Sequence, residues 1–425
     1  MKKTILITLL LYLPLALLAQ GKNETLIDSE IKKLKIVHAK YRKFESKVQR
    51  DIYDEHFSEI ERKISKGYTQ GFIAFDREYN QFIQKIFQDY TTTNQTYQLG
   101  TPHVYVINDN SPNAFTTGFD YYFIHTGLFQ LLDNEYQLAA VIGHELAHNY
   151  LKHTDQSISQ QAEFAQDFQK KMKSIKRSEM IKLIQSQDKI IQQKYDLANQ
   201  SRKKEIASDS LGYVFYSQLN YPKEEYLNLL QKLKEWDEEE FDTIHDETYQ
   251  TIFNVNGVSF KTSWLNLKKD DVFAGLTFTE HIDKDSIRSH PNTVDRMNWF
   301  SKTFNIESKL ENAAAPSNEF LDLKRKAKQD FYEHLILHQT YDYALYHIIH
   351  QIQKDRTRQD LNKYLVKIFN DLHQARMNHR FNQYVSVANA NHKDQDYHRF
   401  LHLLWNIPTP DYQKLADYYN EKAAL

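Results

Sequence analysis

The sequence predicts an α+β protein that is mostly α, with one small β-sheet and a helical C-terminal region. Three observations carry this expectation. Gly and Pro are scarce, 10 and 8 in 425 residues, while Lys, Gln, Leu and Tyr are plentiful, a balance that suits helices better than a sandwich or barrel. Apolar residues recur at helical spacing over most of the chain. Only HVYVIND (103–109) and FDYYFIH (119–125) are rich in β-formers, and they flank NSPNAFTTG, whose Pro and Gly mark turns. The length allows two or three domains. A formal charge of −2, with no basic cluster, argues against a nucleic-acid partner.

The first residues, MKKTILITLLLYLPLALLAQ, have two lysines, an apolar run from Ile5 to Ala19 and then polar sequence. That is the layout of a secretory signal peptide. The run is interrupted by Pro14 and is shorter than the ~20 residues a membrane-crossing helix needs, so cleavage near Ala19 is expected. Losing Lys2 and Lys3 would take the charge from −2 to −4. No later apolar run approaches membrane length, so no integral span is expected after cleavage. The chain has no cysteine, which fits a bacterial periplasm better than a disulfide-dense extracellular domain. The expected location is periplasmic or secreted, in soluble form.

Residues 24–66 and 72–90 each predict a helix, separated by the Gly67/Gly71 region. After the strands, Asn134 with Gln137 three residues on predicts a capped helix that carries VIGHELAHNYLKH (141–153). From Asp155 to about Gln200 the Gln/Lys-rich sequence spaces Phe164, Phe168, Met172 and Ile175 as in a long solvated helix or helical hairpin. Ser201 reads as the N-cap of a helix through Glu205 to about Leu219. Residues 237–285 open with the acidic DEEEFD and contain a candidate hairpin, NVNGVSF; they read as an insertion without an assigned role. ENAAAPSN (311–318) marks the domain boundary. The expected division is a leader over 1–19, a domain over 20–312 (N-terminal helices 20–95, core 96–312) and a helical domain over 313–425. The rhythm of that last part is reminiscent of degenerate tetratricopeptide units, without a clean 34-residue repeat.

The chemistry centres on His144, Glu145 and His148, an H-E-x-x-H pattern that arises by chance in a chain of this composition with a probability of roughly 0.05. His334/His338 and His398/His402 repeat the spacing without the glutamate, so histidine spacing alone carries little. On a helix, residues four apart share a face; both imidazoles can reach one metal ion, with Glu145 beside them to act on a water. Catalytic zinc usually takes three protein ligands. SRKKEIASDSLGY (201–213) offers Glu205 and Asp209 one turn apart, and its small residues Ala207, Ser208 and Gly212 can pack close to Gly143 and Ala147. Glu205 is the candidate third ligand, and Asp209 the acceptor that fixes a histidine tautomer; read alone, the pair is also an ordinary solvated acidic face. In DSIRSHPNTVDRMNWF (285–300), Pro291 starts a helix along which Arg296 faces back, and His290 stands at its entrance. His153, five residues past His148, falls off the ligand face of a continuous helix and is left out of the site.

In this order, NAFTTG (113–118), FIHTGLFQLLDNEYQLAAVIGHELAHNYLKH (123–153), EIASDSLGY (205–213) and SHPNTVDRM (289–297) resemble peptidase family forty-eight, the group of HtpX and the CAAX prenyl proteases, over about residues 100–300. With a signal peptide and no membrane-spanning helices, the chain is most similar to the periplasmic BepA-like branch, linked to outer-membrane protein quality control. The resemblance implies a zincin-type (gluzincin) metallopeptidase domain with one Zn2+ per chain, held by His144, His148 and Glu205. It further implies Glu145 as general base, Asp209 as helix partner of the third ligand, and His290 as the contact to the transition-state oxyanion, or to the metal in a closed form. Asn113, Ala114 and Phe115 would lie by the edge strand that receives substrate. The sequence departs from the family at Ser208, where Ala is commoner, in the length of 237–285, and in lacking clear tetratricopeptide repeats.

The expected activity is zinc-dependent endoproteolysis of exported, misfolded or outer-membrane-bound polypeptides, with the outer-membrane assembly machinery as an expected partner. The alternative is a periplasmic chaperone or assembly factor that keeps the fold and acts mainly by binding.

Overall fold

The sheet forms where β-branched and aromatic residues concentrate, at His103–Ile107 (β1), Ala114–Gly118 (β2) and Tyr121–His125 (β3). Its order is β1-β3-β2, so β3 is central and buried at every position. β1 runs parallel to β3, with His103 opposite Tyr121; β2 runs antiparallel, with Ala114 opposite Ile124 and Phe115 opposite Phe123. Among the described residues β2 has no strand on its other side. Side chains alternate across a strand, and the two faces of β3 therefore enter different cores: Tyr122 and Ile124 one, Tyr121 and Phe123 the other.

The computed structural model describes residues 25–40, 44, 46–69, 71–73, 77–174, 203–238, 243–266, 293–307, 313–387 and 395–423. The expected leader, the Ser201 cap, His290 with Pro291, residues 175–200 and the second half of the 237–285 segment lie outside them. Among the described residues no helix is long and apolar enough to cross a membrane.

The run expected as one helix over 24–66 is two: residues 25–40 (α1) and Lys47–Thr69 (α2). The second restarts at Ser46, whose Oγ accepts the Gln49 N–H at 3.1 Å, the bond that an N-cap serine makes. Leu34 of α1 and Tyr53, Phe57, Ile60 and Ile64 of α2 cover the outer face of the sheet. Arg77–Thr93 (α3) covers the inner face with Phe82, Ile83, Ile86, Phe87 and Tyr90. After the short Gly127–Leu131 (α4), Glu135–Tyr150 (α5) packs against β2 and α3. Asn134 caps α5 as expected: its Oδ1 accepts the Gln137 N–H at 3.0 Å, and Gln137 Oε1 accepts the Asp133 N–H at 2.9 Å. The chain then turns at Lys152, which has φ 55, into His153–Ser174 (α6). Residues 203–217 (α7) and Glu224–Glu238 (α8) complete the inner layer, with Phe215, Tyr216, Tyr226 and Leu230 buried in the same core.

Two compact units divide the chain. The described residues up to Glu238, with 293–307 and 313–327, form the first; those of 243–266 and from Lys328 onward form the second. The break therefore falls inside the helix Asn318–Leu337 rather than at 312/313. Residues 243–266 belong to the second unit for a physical reason. Tyr249, Ile252 and Phe253 of the helix Asp246–Phe253 are buried against Leu345, Ile349, Leu365 and Phe369, and the Tyr419 hydroxyl donates to the Ile252 carbonyl at 2.9 Å. The candidate hairpin reduces to a single bridge between Val255 and Val258 around Gly257, at φ 82.

Candidate active site

Two glycines decide how closely the helices of the site approach. A Cβ on Gly212 of α7 would stand 3.0 Å from both the Gly143 carbonyl oxygen and the His144 Cα, and 2.6 Å from the Tyr226 hydroxyl; one on Gly143 would meet the Tyr90 hydroxyl at 2.5 Å. Backbone therefore lies on backbone where α5 crosses α7. The expected close packing of small residues is present, and it carries Glu205 and Asp209 to the histidine pair.

His144 Nε2 and His148 Nε2 stand 3.0 Å apart. Glu205 places Oε2 3.4 Å from the first and Oε1 3.3 Å from the second. Donor atoms of these three residues all lie within 4.8 Å of one another, and they are the one such group of three among the described residues. The decoy pairs lack that third member, although His398 and His402 are buried with Nε2 atoms 3.2 Å apart. Two imidazole nitrogens and a carboxylate, converging on one point inside the protein, suit a catalytic zinc site.

Behind His144 and Glu205 lies a buried ion pair. Asp209 Oδ1 is 2.8 Å from His144 Nδ1, and the Arg296 guanidinium grips the same carboxylate, Nε donating to Oδ2 and Nη2 to Oδ1, each at 2.7 Å. Arg296 Nη1 is also 3.5 Å from Glu205 Oε2. Burial alone would raise the Asp209 carboxyl, but Arg296 and His144 bring it down to about 2, so it is an anion at neutral pH. For His144 burial disfavours the imidazolium, yet Asp209 outweighs it and the pKa rises; for His148 burial prevails and the pKa falls.

Glu145 is 2 % exposed, and its Oε2 accepts the Thr116 N–H at 2.8 Å. Strand register explains the contact. The Asn113 carbonyl accepts the His125 N–H at 2.9 Å, so in an antiparallel pair the backbone groups of 113 and 115 face β3, while those of Ala114 and Thr116 face the free edge. Phe115 stacks its ring on Phe123 at 5.0 Å. A cavity of about 490 Å³, lined by Gly118, Tyr122, Leu146, His148 and Asn149 among others, opens beside the site.

The profile of peptidase family M48 matches residues 78–303, more than half of the chain. The chain belongs to this family. It is also similar to a protease HtpX homolog of Thermodesulfovibrio yellowstonii, 44% identical over 69 residues, which are 15% of this chain and 23% of that protein. The chain thus spans less than a quarter of that relative's length. The mostly helical fold with its three-stranded sheet is consistent with an M48 peptidase domain.

Three residues of this M48 site escaped sequence reasoning. Thr116 acts through its backbone, and only the register of β2 shows it. Arg296 was visible on its helix, but its partner is 87 residues away. His153, which helical projection removes from the site, has its Nδ1 2.9 Å from His148 Nδ1 and 3.3 Å from Ser208 Oγ. The projection fails because α5 ends at Tyr150 and the left-handed Lys152 turns the chain back. Burial, with His148 and Lys204 adding to it, pushes the His153 pKa down to about 4.

Proposed function

We propose that the protein is a zinc-dependent endopeptidase with a zincin-type centre, in which Glu145 activates the attacking water. The convergence of His144 Nε2, His148 Nε2 and Glu205 supports this reading, with Glu145 held beside them by Thr116. A zinc ion held by His144, His148 and Glu205 would supply Lewis acidity toward a carbonyl and would bring the pKa of a water down to about 7.

The chain's own residues do the rest. Glu145 takes the proton from the attacking water and later passes it to the leaving amine nitrogen. Thr116 keeps that carboxylate aimed between β2 and the histidines. Asp209 holds the His144 ring, and Arg296 keeps Asp209 ionised in its buried position. A substrate in extended form pairs with the free edge of β2, through the backbone groups of Ala114 that face away from β3. Such pairing makes little demand on side-chain sequence, which suits misfolded or outer-membrane-bound clients of an exported protein of the BepA-like branch. His290 would contact the oxyanion from the segment before the helix Thr293–Phe304.

Zinc analysis and digestion of unfolded casein by the purified protein test this. About one zinc per chain is expected, with cleavage lost on chelation and restored by added zinc. A metal-free protein that cleaves at the same rate would refute it.

A further inference from the structure

Each metal-facing histidine has a partner on its far nitrogen, and the two partners differ in kind. Behind His144 stands the Asp209 carboxylate, 2.8 Å from Nδ1. Behind His148 stands another imidazole, that of His153, with its Nδ1 2.9 Å from His148 Nδ1. We infer that His153 is a positioning residue that orients His148 for metal binding by accepting its Nδ1–H. This inference rests on the zinc reading above.

Nε2 of His148 is the atom turned toward His144 Nε2 and Glu205, and an imidazole that binds a metal through Nε2 carries its proton on Nδ1. That proton points at His153 Nδ1, which must then be the bare nitrogen, with the His153 proton on Nε2. Ser208 Oγ, 3.3 Å from the same nitrogen, lies at the edge of hydrogen-bond reach, so His148 is the nearer partner. His153 is itself fixed by α7: Lys204 Nζ donates to the His153 carbonyl at 3.3 Å and to Ser157 Oγ at 2.7 Å. Its side chain is nearly buried. One helix thus supplies Glu205 to the metal, Asp209 to His144, and the clamp on the partner of His148.

A neutral partner also suits the charge of the site. Glu145, Glu205 and Asp209 bring three negative charges and Arg296 one positive, leaving two to be balanced by a divalent cation. Another carboxylate behind His148 would leave an excess negative charge in a buried place.

Zinc affinity decides the matter, measured on the full chain by competition with a chromogenic chelator. His153→Phe keeps a ring but removes the acceptor, and should weaken zinc binding by roughly 10–100-fold. His153→Asn carries an acceptor oxygen near the position of Nδ1 and should recover most of that loss, whereas His153→Gln, whose polar atoms correspond to Nε2, should not. With cobalt(II) in place of zinc, the visible spectrum should change in the Phe and Gln variants and return toward wild type in the Asn variant. Wild-type affinity in His153→Phe, or equal losses in the Asn and Gln variants, would overturn the inference while leaving the zinc site standing. Failure of the wild-type chain to bind zinc would overturn the underlying reading as well.

Discussion

Asp209 receives both arms of Arg296, at 2.7 Å each. The two residues are buried, and the carboxylate also stands 2.8 Å from His144 Nδ1. The helix Thr293–Phe304 is therefore coupled through Arg296 to Asp209 and Glu205, and through Asp209 to His144. Removing one partner of such a pair leaves a charge uncompensated in the interior, which costs about 3–5 kcal/mol. Arg296→Met should lower stability by that amount in a denaturant titration. Arg296→Lys should recover only part of it, because an ammonium cannot make the two-armed contact. A neutral effect of Arg296→Met would show that the pair contributes nothing.

Gly212→Ala sets helix propensity against helix approach. Alanine is favoured inside a helix by roughly 0.5–1 kcal/mol, but its Cβ would press on the Gly143 carbonyl and the His144 Cα at 3.0 Å. Overpacking of this kind costs about 1–3 kcal/mol, so the approach term wins. The variant should unfold at lower denaturant and bind zinc more weakly. Greater stability with unchanged affinity would mean that the crossing yields easily.

Glu205→Ala should lose most bound zinc while retaining the fold, because the two histidines alone form an incomplete ligand set. Metal analysis after gel filtration, alongside the circular dichroism spectrum, reads both. Full zinc content in the variant would remove Glu205 from the ligand set.

Acid should weaken the second unit through His347. Its ring lies 5.3 Å from Phe331 and 4.4 Å from Tyr343, and burial, with His350 adding to it, lowers its pKa from 6.5 to about 3. In the unfolded chain the imidazole protonates below about 6.5; in the folded one it stays neutral until about 3. The unfolded state binds more protons between these values, so stability falls as pH drops, by up to roughly 1.4 kcal/mol per unit. Urea midpoints from pH 7 to pH 4 should decline more steeply for wild type than for His347→Leu; parallel declines would contradict this.

What could be read in advance was local. His144, Glu145, His148, Glu205 and Asp209 follow from helical spacing and the small residues that let α5 and α7 meet. The break between α1 and α2 was missed, although Ser46 with Gln49 three residues on has the spacing of a capping box. Other features depend on tertiary structure. No residue type announces that Lys152 adopts φ 55 and returns His153 to the site. The Thr116–Glu145 contact depends on the register of β2, and the Arg296–Asp209 pair on the packing of distant helices. The helix Asp246–Phe253 was not read within 237–285, and the core that its Tyr249, Ile252 and Phe253 enter is set by packing against distant helices.

The central claim concerns Glu145. Glu145→Gln keeps the size of the side chain and removes its capacity to take a proton. Cleavage of an unfolded protein, measured alongside bound zinc, tests the claim most directly. Cleavage should be abolished while about one zinc per chain remains; cleavage at the wild-type rate with zinc bound would rule out Glu145 as the base.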